Sequence, residues 1–235
     1  MSASKTDRRT LIGAGALAAG AGLVASATTA RAGEPAGGKW TPGLEEKDAW
    51  MDIPGTRHRM VYDTISPGAF GEALFYAKNY YVANESGYGL KPEALGVIVI
   101  ARHMSTPFAY ADAVWAKYGA GFAGMMQQGG MPLEGDNAEL AKTRNPLFAA
   151  KEGEDQGMQA GANISALAAK GMRFAVCGMA TAFIAQAMAK DAGMSADALE
   201  AELKANLVPG AVIVPAGIVA VERAQQHGYA FAYVA

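Results

Sequence analysis

The sequence predicts an α/β protein: a single three-layer domain on a sheet of about five mostly parallel strands, with helices on both faces. Three observations carry that expectation. The run Leu-Gly-Val-Ile-Val-Ile-Ala at 95–101 is apolar throughout, the mark of a strand buried on both faces. Strand-like and helix-like segments alternate from residue 57 to residue 234, the order that strand–helix–strand units produce. A chain of 235 residues, 51% of them hydrophobic, suits one domain with a full core. No internal repeat or second core is visible.

A first strand is expected at 57–64. The stretch 67–84 opens Ser-Pro-Gly and carries Phe70, Leu74, Phe75, Tyr80 and Tyr81, which predicts a helix with Ser66 as N-cap and Pro67 at its first position. After the 95–101 strand, residues 106–118 repeat the cap-plus-proline opening and continue with Phe108, Ala111, Trp115 and Tyr118 at helical spacing. The glycine-rich stretch 119–146 reads as an irregular insertion of the kind that covers a site or a partner surface. Within it, 119–124 formally matches Gly-x-Gly-x-x-Gly. That match follows a helix rather than a strand, so it is expected to be a flexible loop and not a pyrophosphate cradle. Met125, Met126 and Met131 are expected to supply adaptable packing beneath it. Beyond it come a helix at 160–170 closed by Gly171, a strand at 173–176, helices at 179–191 and 195–206 (Ser195 as N-cap), a strand at 211–214, a helix at 215–227 and a strand at 229–234.

The first 32 residues stand apart. Arg8-Arg9 precedes a Gly/Ala-rich apolar stretch and then Ala30-Arg31-Ala32, the pattern of a twin-arginine export leader cleaved after Ala32. Its apolar part is about 15 residues, short of the roughly 20 that a spanning helix needs, so no stable membrane anchor is expected after cleavage and the location is periplasmic. Cleavage leaves 203 residues and removes a balance of +3 from the formal charge of −2, giving a chain near −5. Such a mildly acidic chain without basic runs has no electrostatic reason to bind nucleic acid. Residues 33–56, rich in Gly, Pro and charge, read as an N-terminal arm lying over the surface or mobile.

Chemistry is expected where parallel strands end, because ligands of open parallel sheets bind at the carboxyl edge. Arg102 and His103 follow the 95–101 strand, and Cys177 follows Phe174-Ala175-Val176. If those strands are neighbours, the side chains share a pocket. Cys177 is the only cysteine, so it is a buried small hydrophobe, an intermolecular link or a reactive thiol. It precedes a helix, and a helix N-terminus favours a thiolate that could attack an electrophilic sulfur, carry a persulfide or bind a soft metal. His103 reads as an acid or base, a metal or haem ligand, or a polar side chain satisfied at a strand end. With His58 and His227 the only other histidines and no Cys-x-x-Cys-His, neither metal nor cofactor is expected.

Together the segments resemble the DsrE/DsrF-like family of small α/β proteins associated with sulfur relay, in an exported branch. The resemblance is carried by Gly96-Val-Ile-Val-Ile-Ala-Arg-His103, the 112–118 stretch with Trp115, Asn145-Pro146, Gly171-Met-Arg-Phe-Ala-Val-Cys177-Gly-Met-Ala180, Leu207-Val-Pro-Gly210, Pro215-Ala-Gly-Ile-Val-Ala220 and His227-Gly-Tyr-Ala-Phe-Ala-Tyr233. It covers nearly all of the chain after the leader. It implies a DsrE-like domain over 57–235 that forms homo-oligomers. It also implies a persulfide site at Cys177 that passes sulfur to a partner. By its position His103 is a second catalytic candidate, and the expected partner is a sulfur donor or acceptor protein or a small polar ligand. Arg102, Trp115 and Asn145 are the ligand-binding candidates. The alternative expectation is a non-enzymatic oligomeric binding or structural module in which Cys177 is buried and inert.

Overall fold

The computed structural model describes residues 41–150 and 157–235, and the fold below is that of the unit Pro42–Ala235. The leader read at 1–32 lies outside the described residues. In chain order the elements are β1 (His58–Thr64), α1 (Pro67–Tyr88), β2 (Leu95–Ala101), a 3-10 helix (His103–Ala109), α2 (Asp112–Gln128), α3 (Asp136–Leu140), α4 (Ile164–Ala169), β3 (Arg173–Cys177), α5 (Gly178–Met188), α6 (Ala196–Ala205), β4 (Ala211–Val214), α7 (Gly217–Gln226) and β5 (Ala230–Val234). All five strands are parallel and lie in the order β4-β3-β2-β1-β5.

The two faces of the sheet are covered unequally. Alternation along β2 sends Val97, Val99 and Ala101 to one core, with Phe70 and Leu74 of α1, Trp115 and Phe122 of α2, Ile184 of α5 and Leu203 of α6. Ile98 and Ile100 point the other way, into a smaller core with Val61, Ala175, Val214, Ala220 and Ala224 of α7, and Met51. Successive steps from β1 to β4 move in one direction across the sheet, which puts their right-handed crossovers on one face. The step from β4 to β5 runs back past three strands, so α7 falls on the opposite face.

Local chemistry sets several boundaries. Ser66 Oγ accepts the Ala69 N–H at 3.1 Å to cap α1, and Pro67 occupies a position whose N–H would have no partner in the helix. Asn163 and Ser195 cap α4 and α6 in the same manner.

Two sequence expectations are corrected. No single helix covers 106–118: residues 103–109 form a 3-10 helix and α2 starts at Asp112. The break comes from tertiary pairing, since Tyr110 forms an antiparallel bridge with Leu207 and the Ala111 N–H donates to Asn206 O at 3.0 Å, holding 110–111 extended. Nor is 119–124 a loop, because α2 runs straight through it. A Cβ on Gly119 would sit 1.8 Å from Ala141 O, and one on Gly121 2.4 Å from Met188 Cε. Those glycines mark where α2 lies against its neighbours.

The expected arm is also partly built in. Residues Glu46–Met51 form a 3-10 helix that buries Met51 completely in the smaller core. Tyr229 Oη donates to Met51 O at 2.6 Å, and the Arg173 guanidinium donates to Trp50 O. Further along, Asp52 lies 3.0 Å from Arg59 Nη1 and 3.1 Å from His227 Nδ1. From Glu46 onward the segment is a structural layer of the domain.

Candidate functional site at the carboxyl edge of the sheet

After β3 the chain enters α5 on the larger-core face, and after β4 it enters α7 on the other. Neighbouring strands whose connections leave to opposite faces open a crevice between them, the usual ligand position in an open parallel sheet. A cavity of about 280 Å³ lies there, lined by Arg102, His103 and Met104 after β2, by Cys177, Met179 and Phe183, and by Ala216 to Ile218. The juxtaposition of Cys177 and His103 expected from the strand ends is present because β2 and β3 pair directly, Ala101 beside Val176.

Cys177 ends β3 and is the N-cap of α5. Its Sγ accepts the Ala180 N–H at 3.4 Å, a sulfur-length hydrogen bond of the kind a thiolate strengthens. The residue as a whole is only 7% exposed, so access to the sulfur runs through the cavity. Beneath it, Thr181 Oγ1 donates to Cys177 O at 3.0 Å and accepts from Tyr110 Oη at 2.9 Å, both in the buried core. Burial raises the Tyr110 pKa well above the usual phenol range, so this hydroxyl is a fixed donor.

Two glycines make the crevice narrow. A Cβ on Gly178 would lie 2.9 Å from Val214 O, and one on Gly217 2.5 Å from Arg102 Cβ. The second contact lets the Arg102 stem cross the start of α7 and reach back to β1. There it meets Asp63 with both ends of its fork, Nε to Oδ1 at 2.7 Å and Nη2 to Oδ2 at 2.8 Å. The Asp63 carboxylate raises the Arg102 pKa, and the guanidinium is therefore a permanent positive charge on the cavity side of the sheet.

His103 is exposed and sits at φ 55°, the only non-glycine residue with positive φ among the described residues. A side chain in the left-handed region carries strain of about 1 kcal/mol. Replacing His103 with glycine is expected to raise stability by about 0.5–1 kcal/mol, read as a shift of the urea midpoint at unchanged slope.

Two sequence candidates do not belong to this site. Trp115 is fully buried between Phe108 and Phe122, and its indole N–H donates to Pro107 O at 2.8 Å. Asn145 is buried as well: its amide donates to Phe108 O and Tyr110 O, and its carbonyl accepts the Leu147 N–H. Both pin the turn between the 3-10 helix and α2, and neither lines the cavity. The ligand-binding role expected for Arg102 is narrowed, since its fork is taken by Asp63. Asp63 itself was missed, although an acidic residue one position before the end of β1, two register steps before an arginine that follows the neighbouring strand, was a readable sign. The rim of the crevice is apolar and exposed at Met179, Phe183 and Ile218.

Among the described residues no group of three or more His, Cys, Asp or Glu side chains is placed to hold a metal ion. No helix among them is long and apolar enough to cross a membrane. The chain matches no protein-family model, no curated protein and no solved structure.

Proposed function

We propose that this chain carries sulfane sulfur on Cys177 and exchanges it at the crevice between α5 and α7. The observation that carries the reading is the placement of Sγ as the N-cap of α5, in a cavity beside the fixed charge of Arg102. The likeness of its segments to sulfur-relay proteins supports the same reading. In the loading step the Cys177 thiolate attacks the terminal sulfur of a polysulfide. One S–S bond forms on Sγ as one breaks in the donor, and the shortened polysulfide leaves with the electron pair. Delivery is the reverse: an acceptor thiolate takes the outer sulfur and Cys177 departs as thiolate, with no net oxidant required. The Ala180 N–H at the start of α5 donates to Sγ and holds it in place for both steps. The exposed Met179, Phe183 and Ile218 offer an apolar contact for the protein surface that supplies or receives it.

The test is the intact mass of the folded chain after polysulfide treatment. A gain of one or more sulfur atoms is expected, reversed by a thiol reductant and absent in Cys177→Ser. No gain in the native protein, with labelling of Cys177 only after denaturation, would support a second reading favoured by its 7% exposure, a core cysteine in a binding or structural module.

A further inference from the structure

Around Cys177 the crevice is mostly apolar. Met104, Met179, Phe183, Ile184 and Ile218 stand in its wall, and the polar side chains beside the cysteine are those of Arg102 and His103. Met179 and Phe183 lie four residues apart on one face of α5, and they and Ile218 of α7 are each more than half exposed. Single exposed apolar side chains are ordinary, but three of them around one cavity form an apolar lip over the route to the sulfur. The wall is drawn from 102–104, 177–184 and 216–218 alone, none of which borders the stretches outside the described residues.

Little in that wall calls for an anion. Both ends of the Arg102 fork are held by Asp63, itself 3% exposed, so the positive charge is already matched. At the start of α5 the Ala180 N–H is taken by Sγ and the Met179 N–H by Pro215 O at 3.3 Å. His103 is exposed to solvent. The start of α7 has no side-chain cap and is the competing attraction for a negative group. Provided that Cys177 carries sulfur, the reading on which this rests, we infer that the small molecule exchanging it is an organic persulfide, R–S–SH, whose R group is uncharged and apolar. The R group lies against Met179, Phe183 and Ile218 while its outer sulfur meets Sγ. In the transfer the Cys177 thiolate attacks that outer sulfur. The bond between the donor's two sulfurs breaks as the bond to Sγ forms, R–S⁻ leaves with the electron pair, and the hydrogen stays on the transferred sulfur.

The probes are three methanethiosulfonates that differ in the group they place on sulfur: benzyl, 2-sulfonatoethyl and 2-trimethylammonioethyl. Sγ attacks the sulfenyl sulfur and methanesulfinate leaves; because Cys177 is the only cysteine, the intact mass reads its reaction alone. Each rate on the folded full chain is divided by the rate on the urea-unfolded chain, which removes intrinsic reactivity. The benzyl ratio is expected to exceed both charged ratios about tenfold or more. Phe183→Lys, at a side chain more than half exposed, should bring the benzyl and sulfonatoethyl ratios together. Benzyl persulfide, released in place from a protected precursor, should then add one sulfur atom to Cys177. A sulfonatoethyl ratio equal to or above the benzyl one would overturn the apolar donor and leave sulfur loading standing, with the start of α7 drawing the anion. An unchanged benzyl preference in Phe183→Lys would overturn the role of the rim. Protection of Cys177 from all three probes in the folded chain would overturn sulfur carriage and the apolar donor together.

Discussion

Arg102→Met destabilises the chain by about 3 to 5 kcal/mol, the expected result of leaving the Asp63 carboxylate, 3% exposed, without its partner. The same substitution opens the wall of the Cys177 crevice, because the Arg102 stem fills the space beside Gly217. Charge and packing are separated by a second variant. Asp63→Leu combined with Arg102→Met removes both charges and restores apolar contact, so most of the lost stability should return. Urea unfolding of the two singles and the double completes the cycle. If Arg102→Met alone costs less than about 1 kcal/mol, the bidentate pair is no more than a surface ion pair and the fixed charge assigned to the crevice loses its anchor.

Gly119→Ala carries the second large effect. Alanine is the better helix former by about 1 kcal/mol, yet here its Cβ would have to occupy a point 1.8 Å from Ala141 O, a backbone atom that cannot rotate away. Destabilisation of about 3 kcal/mol or more is expected, at the upper end of overpacking effects. Gly124 lies in the same helix with nothing within 4 Å of its would-be Cβ, so Gly124→Ala should instead stabilise by up to about 1 kcal/mol. Thermal or urea midpoints of the pair decide it, and equal behaviour of the two variants would mean that the α2 crossing is looser than the packing at Ala141 requires.

These glycines show where the sequence stopped being readable. Position by position, the apolar run at 95–101 and the cap-plus-proline at Ser66–Pro67 speak through local chemistry, and β2 and the start of α1 lie where those signals place them. So does the meeting of His103 and Cys177, because strand ends in a parallel sheet share an edge. Gly119 and Gly121 carry no local sign of their purpose. Their requirement comes from Ala141 and Met188, which only the fold brings near, so a cluster of glycines read as a loop. Trp115 and Asn145 misled for a related reason: a large aromatic and an amide suggest recognition until their hydrogen bonds are seen to end on backbone carbonyls in the core.

The position of β1 between β2 and β5 governs how the chain is made. Met60 pairs with Ala230 and Asp63 with Tyr233, about 170 residues apart, and Met51 waits for Tyr229 to close the smaller core. During synthesis, β1 can pair with β2 early, but its other edge stays open until residue 234 has left the ribosome. An open edge on a sheet is a place for wrong partners, and long-range closure is slow. β5 is thus the seal of that edge, and loss of its few residues would leave β1 of a finished-looking domain open to its neighbours.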